Sequence, residues 1–279
     1  MRLRFTKMQG CGNDYIYFDA FSQKVPDPSV LSIRLSDRRF GIGGDGVILI
    51  GPSDTADGKM TMFNADGSEG RMCGNGVRCV GKYLYDSGRA KKNTVTVETK
   101  SGIKTLELKI EDGVCTAAKV DMGAPELCPK KIPCTLPGES VVGREVEIAG
   151  GRHKITCVSM GNPHCVLFVP EIVSLDLEKI GPSFENSPLF PERVNTEFVR
   201  VADPAHLEMR VWERGSGETL ACGTGACAVA VAAVENGISP KNEDISIKLL
   251  GGTLTIRYTD ETVYMTGPAD KVFEGEIEL

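Results

Sequence analysis

Cys73-Gly74-Asn75-Gly76-Val77-Arg78-Cys79 and Cys222-Gly223-Thr224-Gly225-Ala226-Cys227 start 149 residues apart, and reading them as two copies of one motif decides the fold. The same offset lays Gly12-Asn13 on Gly161-Asn162, Phe63 on Trp212 and Glu69 on Glu218. One C-G-x-G is most simply a turn with a buried cysteine. A second one, with an asparagine sixty residues upstream in both cases, argues for an internal duplication. The chain therefore reads as two homologous halves.

Each half carries the same grammar of short alternating strands and one principal helix directly after the motif. In the first half Lys59–Asn64 predicts a strand, Ala65–Arg71 a polar loop and Gly74–Asp86 a helix. In the second, Leu207–Arg214 predicts a strand, Gly215–Glu218 a loop and Gly223–Asn236 a helix stopped by Gly237. That second helix is small or apolar on every side, so it belongs inside a sheet or barrel. Further strands are expected over 94–99, 104–110, 114–121, 194–201, 245–250, 253–258 and 263–266. The expected fold is α+β: two pseudo-symmetric lobes, each an antiparallel barrel-like sheet around a central helix, with the active site in the cleft between them. The lobes are expected to span 1–121, completed by 268–279, and 122–267, the crossover falling near Met122-Gly123-Ala124-Pro125 and the proline-containing stretch 129–137.

Composition narrows the function. Of 279 residues 32 are basic and 38 acidic, a net charge of −6, which offers no basic stripe for nucleic acid or anionic lipid. No apolar run reaches the roughly 20 residues of a membrane span, and the N-terminal sequence lacks the apolar core of a signal peptide. The ten cysteines include no C-x-x-C, and His153, His164 and His206 form no paired motif with them. Reduced thiols in a cytoplasm, without metal, are the expectation, and Cys115, Cys134, Cys157 and Cys165 read as core filling.

Cys73 and Cys222 differ from those four because each precedes a helix N-terminus. Unpaired backbone N–H groups and the positive helix end favour thiolate and bind anions, so a lowered thiol pKa is expected. Gly74-Asn75 and Gly223-Thr224 would present main-chain donors to one carboxylate. Two opposed acid/base groups about an anchored α-carbon are what inversion of that carbon requires.

The residues F-T-K-M-Q-G-C-G-N-D (5–14), N-A-D-G-S-E (64–69), C-G-N-G-V-R-C (73–79), G-N-P-H (161–164), R-V-N-T-E-F (193–198) and E-R-G-S-G-E-T-L-A-C-G-T-G (213–225) resemble the diaminopimelate epimerases. The resemblance implies interconversion of LL- and meso-diaminopimelate without pyridoxal phosphate or metal, on the route to lysine and to peptidoglycan precursors, by a homodimer. It implies Cys73 and Cys222 as the catalytic thiols and Asn13, Asn64, Asn162, Asn195, Glu213 and Arg214 as substrate-binding residues. Gly74, Asn75, Gly223 and Thr224 would form the main-chain cradle, and His164 and Glu213 would stand beside the thiols. Two positions depart from some relatives: Cys11 replaces an apolar residue and Gly46 a glutamine. A racemase of proline, hydroxyproline or another amino acid would share the paired cysteines but not need Arg214 and four asparagines. A non-enzymatic thiol or metal-binding protein is the reading from another class.

Overall fold

The computed structural model describes residues 1–279, which divide into two compact units, Met1–Asp121 with Thr266–Leu279, and Met122–Met265. The first unit runs β1 (Arg2–Gly10), β2 (Asn13–Asp19), α1 (Pro28–Ser36), β3 (Gly46–Gly51), β4 (Gly58–Asn64), β5 (Glu69–Gly70), α2 (Gly74–Asp86), β6 (Thr94–Thr99), β7 (Gly102–Glu111) and β8 (Val114–Gly123). The second runs β9 (Arg144–Ile148), β10 (Gly151–Ser159), β11 (Pro163–Phe168), α3 (Leu177–Glu185), β12 (Asn195–Asp203), β13 (His206–Glu213), β14 (Gly217–Glu218), α4 (Gly223–Glu235), β15 (Asp244–Leu249) and β16 (Gly252–Tyr258). From there β17 (Val263–Pro268) leads into β18 (Asp270–Glu278) of the first unit. No helix is long and apolar enough to cross a membrane.

The 149-residue register extends well beyond the motifs that reveal it. Adding 149 carries α1 onto α3 and α2 onto α4 residue for residue, and brings the ends of every strand from β1 to β7 within three residues of those of its counterpart. Pairing repeats as well: β1–β2, β3–β4 and β6–β7 are antiparallel while β2–β3 and β4–β6 are parallel. The series β10, β11, β12, β13, β15, β16 follows the same alternation. Hence the sheets are mixed rather than antiparallel throughout, because each parallel step is bridged by a crossover segment. The outermost partner is exchanged along the chain: β18, from the C-terminus, pairs with β1, whereas β9 pairs with β10.

The sequence reading anticipates one principal helix per half, yet α1 and α3 make a second. Asp27 caps α1 through Val30 N–H with Pro28 at the first turn, and Asp176 caps α3 through Lys179 N–H. These helices cover the face of the sheet opposite the principal helix. On β2, Ile16 and Phe18 join Leu31 and Leu35 of α1 in one core, while Tyr17 turns the other way and its hydroxyl donates to Gly76 O of α2 at 3.4 Å. In the second unit Cys165, Leu167 and Phe198 pack with Leu177 and Phe184 of α3, and Ala226 to Ala233 of α4 are wholly buried. With both faces covered, the central strands are apolar runs rather than alternating ones.

One compensating pair shows how the halves diverged. Ser32 of α1 donates its hydroxyl to Phe63 O and Asn64 O, whereas the corresponding residue of α3 is Gly181, against the larger Trp212. A Cβ at Gly181 would fall 2.2 Å from Trp212 Cδ2, so the glycine is the space the indole occupies. Restoring the first-half residue with Gly181→Ser is expected to cost about 1–3 kcal/mol by overpacking, a fall in melting temperature of roughly 2–12 °C. Thermal denaturation with an intact reductant checks this; an unchanged melting temperature would show that the indole relocates freely.

Candidate active site

Cys73 and Cys222 are the N-cap residues of α2 and α4, with extended backbone at φ −125° and −114°. Each sulfur accepts the third helical amide, Gly76 N–H at 3.3 Å and Gly225 N–H at 3.4 Å. The sequence placed both thiols here correctly, but their ionisation differs from the expectation of a lowered pKa. Burial pushes Cys73 upward, opposed by the N–H groups of Gly76 and Asn75 and by Arg78. Cys222 goes well above the ordinary range, through burial first and then the carboxylates of Glu213 and Glu197. Desolvation outweighs the helix end in both units.

Around Cys73 the thiol donates to Asn13 Oδ1 at 3.2 Å, and Tyr15 is hydrogen-bonded to the same sulfur. Asn13 is held in turn by Asp45, its Nδ2 donating to Oδ2 at 2.7 Å. Behind it lies an ion-pair network that the sequence reading missed: the buried Lys7 reaches Asp14 at 2.6 Å, and Arg38 bridges Asp14 and Asp45. The Lys7 and Arg38 cations hold the Asp14 carboxyl below its usual value despite its burial. Asn64, at the end of β4, donates to Ser68 Oγ at 3.0 Å. Arg78, 0% exposed, donates to Pro268 O at 3.1 Å and Gly74 O at 3.2 Å, placing a buried cation one turn inside the helix that Cys73 begins. Of the main-chain cradle residues, Asn75 turns its N–H to the Cys73 sulfur, and Gly74 precedes it at the first helical position.

Gly46, the departure from a glutamine, is explained locally. A Cβ there would meet Phe63 O at 2.1 Å and the Tyr15 ring at 2.9 Å, so β3 and β4 approach too closely for a side chain. Cys11 adopts a left-handed conformation at φ 55° between β1 and β2, and burial raises its pKa.

Around Cys222 the sulfur lies 3.5 Å from Thr224 Oγ1 and is hydrogen-bonded to Glu213. Glu213 also accepts from Thr219 Oγ1 at 2.5 Å, and its carboxyl is pushed up by burial. His164 is fully buried, with Nδ1 2.7 Å from Glu197 Oε1 and Nε2 3.2 Å from Asn162 Oδ1. Asn195 spends its amide on the backbone: Nδ2 donates to Pro163 O at 2.8 Å and Oδ1 accepts Arg214 N–H at 3.0 Å. It therefore sets the position of Arg214, whose Nη1 donates to Glu192 O at 2.9 Å. Gly223 and Thr224 occupy the first two positions of α4, where no helical carbonyl lies in reach of their N–H groups.

Glu197 escaped the sequence reading although it stands within a quoted motif. Its signal was a lone carboxylate in the apolar run of β12. His164, Glu197 and Cys222 bring a nitrogen, an oxygen and a sulfur within 4.8 Å of one another, the one such trio able to receive a metal ion. The 2.7 Å between His164 and Glu197 is nevertheless a hydrogen-bond length. Two ligands about 2.0–2.2 Å from one tetrahedral zinc would stand farther apart than that.

Solved structures share this fold at low identity. A phenazine biosynthesis protein of the PhzF family from Bacillus anthracis superposes with a TM-score of 0.71 at 17% identity, covering 100% of both chains. A probable proline racemase from Agrobacterium radiobacter gives 0.71 at 14%, covering 99% of this chain and 93% of that one. Sequence relatives are far nearer. The diaminopimelate epimerase of Acetivibrio thermocellus is 57% identical over 279 residues, 99% of each chain, and that of Methanococcus maripaludis 52% identical over 99% of this chain and 100% of its own. The profile of the family described as diaminopimelate epimerase matches residues 5–128 and 156–272, which take in both cysteine N-caps and every residue placed around them. On that match and those identities, the chain belongs to the diaminopimelate epimerase family.

Proposed function

We propose that this chain interconverts LL- and meso-diaminopimelate, with Cys73 and Cys222 as the two proton-transfer groups and no cofactor. The observation that carries the reading is the repetition of a cysteine N-cap in one register, each sulfur on the third amide of a buried helix. The reaction requires the two thiols to reach opposite faces of one α-carbon.

One thiolate takes the α-proton as the C–H bond breaks, and its electron pair passes into the substrate carboxylate. The opposite S–H bond then breaks to deliver a proton to the other face, so thiol and thiolate exchange places and the net proton count is unchanged. Gly74, Asn75, Gly223 and Thr224 supply the N–H donors for the charge that develops on the carboxylate, that of Asn75 shared with the Cys73 sulfur. Asn13, Asn64, Asn162 and Glu213 surround the reacting centre. Arg214, set by Asn195, takes the distal carboxylate that distinguishes this substrate from monofunctional amino acids. Burial raises both thiols, so thiolate formation depends on the charge of the bound ammonium group.

The test is proton NMR of reduced protein with LL-diaminopimelate in deuterated buffer, containing chelator and no pyridoxal phosphate, with chiral analysis. The α-proton is expected to wash out as meso product appears. Exchange with proline or hydroxyproline alone would overturn the substrate assignment, and no exchange with any amino acid would overturn the chemistry.

A further inference from the structure

The two thiols sit at equivalent places in unlike surroundings, and one side chain accounts for much of the difference. In the 149-residue register Tyr15 corresponds to His164 and Ile48 to Glu197. A Cβ at Gly76 would meet Ile48 Cδ1 at 2.8 Å, and one at Gly225 would meet Glu197 Oε1 at 2.7 Å. Both side chains therefore fill one position, against the first turn of the helix that the thiol caps. Ile48 fills it as an ordinary apolar core residue. Glu197 fills it with a carboxylate that is 0% exposed, has one oxygen on His164 Nδ1 at 2.7 Å, and has no partner for Oε2. A buried carboxylate oxygen left unpaired opposes folding, and Ile48 shows that the fold accepts a hydrocarbon here. Packing gives no reason for the glutamate.

We propose that Glu197 is a positioning residue for proton transfer at Cys222, acting through His164. A carboxylate only accepts, so it places a proton on Nδ1 and presents Nε2 as the atom whose protonation varies. Glu197 holds the ring from behind at Nδ1, and an imidazolium Nε2–H donates to Asn162 Oδ1 at 3.2 Å, so the ring keeps one orientation beside Cys222. The charged groups that face it are Glu197 and Glu213, both carboxylates, so the imidazolium has a fixed counter-charge when the thiol proton moves. Cys73 has Tyr15 in the corresponding place and its cation, Arg78, inside the helix. This inference rests on Cys222 being a reacting thiol.

Two variants test it. Glu197→Leu removes charge and acceptor, and Glu197→Gln keeps shape and an acceptor but loses the charge. In 15N spectra of the three histidine rings, His164 is expected to be Nδ1-protonated in the native protein. In Glu197→Leu that signature should be lost, while kcat falls on the order of 10–100-fold, as when other residues that orient a functional histidine are removed. KM should change less than about twofold, and the melting temperature should hold or rise because an unpaired carboxylate has gone. An unchanged kcat, or an unchanged ring signature, overturns the proposal, as does a lowered melting temperature with KM rising in step. Should the leucine variant not fold, Glu197→Gln decides: kcat at least severalfold lower at constant KM supports it, and native kcat overturns it. Full activity in Cys222→Ser would instead overturn the underlying mechanism, while the ring spectrum still reports on Glu197 itself.

Discussion

Cys73→Ser and Cys222→Ser are each expected to lower kcat for net epimerisation by about 10³-fold, within the range that a positioned acid or base supplies. Serine keeps the N-cap geometry, since its hydroxyl also accepts an amide N–H, so the loss falls on proton transfer rather than on folding. The informative result is the pattern of hydrogen exchange. The remaining thiolate still removes the α-proton that faces it, exchanges that proton with solvent and returns it to the same face. Each variant should wash deuterium into one epimer without inverting it, and the two variants should choose opposite epimers. Inversion that persists in either variant, or both variants exchanging the same epimer, would be incompatible with a thiol on each face. Because Cys222 lies beside two carboxylates and Cys73 beside the Arg78 cation, the halves should also differ in rate.

The features legible in the sequence were those that repeat. Two copies of C-G-x-G with matched Asn and Glu set the register, and α2 and α4 then fell within a residue of their expected ends, since a cysteine cap and Gly237 at φ 69° mark them. The helices α1 and α3 were missed for physical reasons. Val30 and Ile33 expose apolar side chains on the outer face of α1, which blurs its period, and Pro182 lies inside α3. Mixed strand pairing was hidden because parallel neighbours leave no turn signature between them. At the site, Lys7, Arg78 and Glu197 stand inside quoted motifs and Tyr15 and Asp45 outside them, yet, the lone carboxylate of Glu197 apart, nothing in the sequence singles any of them out. Lys7, Tyr15, Arg78 and Glu197 owe their importance to burial, and Asp45 and Glu197 to contacts across more than 30 residues, with Asn13 and His164. The thiol pKa went astray on the same account: helix position is written in sequence, and desolvation is not.

The largest effect on stability is expected from alkali, under reducing conditions. Cys11, Cys73, Cys79, Cys115, Cys134, Cys157 and Cys222 all have their pKa raised from an ordinary 9.0; burial leads at five, the contact with Cys157 leads at Cys134, and at Cys157 the bond with Cys134 lowers the value but is outweighed by Cys165 and burial. Cys79 is pushed up to about 12 and Cys115 to about 11. A proton held more tightly by the folded chain stabilises it below the unfolded value and ceases to do so as pH rises through the folded one. Between pH 9 and its folded value a thiol binds less proton in the unfolded chain, and where it is ionised there but protonated in the folded one the cost is about 1.4 kcal/mol per pH unit. Cys79 and Cys115, both fully buried, together remove roughly 5 kcal/mol between pH 9 and 11, comparable to the whole stability of an ordinary domain. Chemical denaturation should show a plateau below pH 8 and a steep fall above 9. The double variant Cys79→Ala/Cys115→Ala should begin less stable at pH 7, because two cavities open, yet lose roughly 5 kcal/mol less between pH 9 and 11. Parallel curves for the two proteins would assign the alkaline loss to tyrosine and lysine instead, and would place the thiols of the core outside the balance that holds it folded.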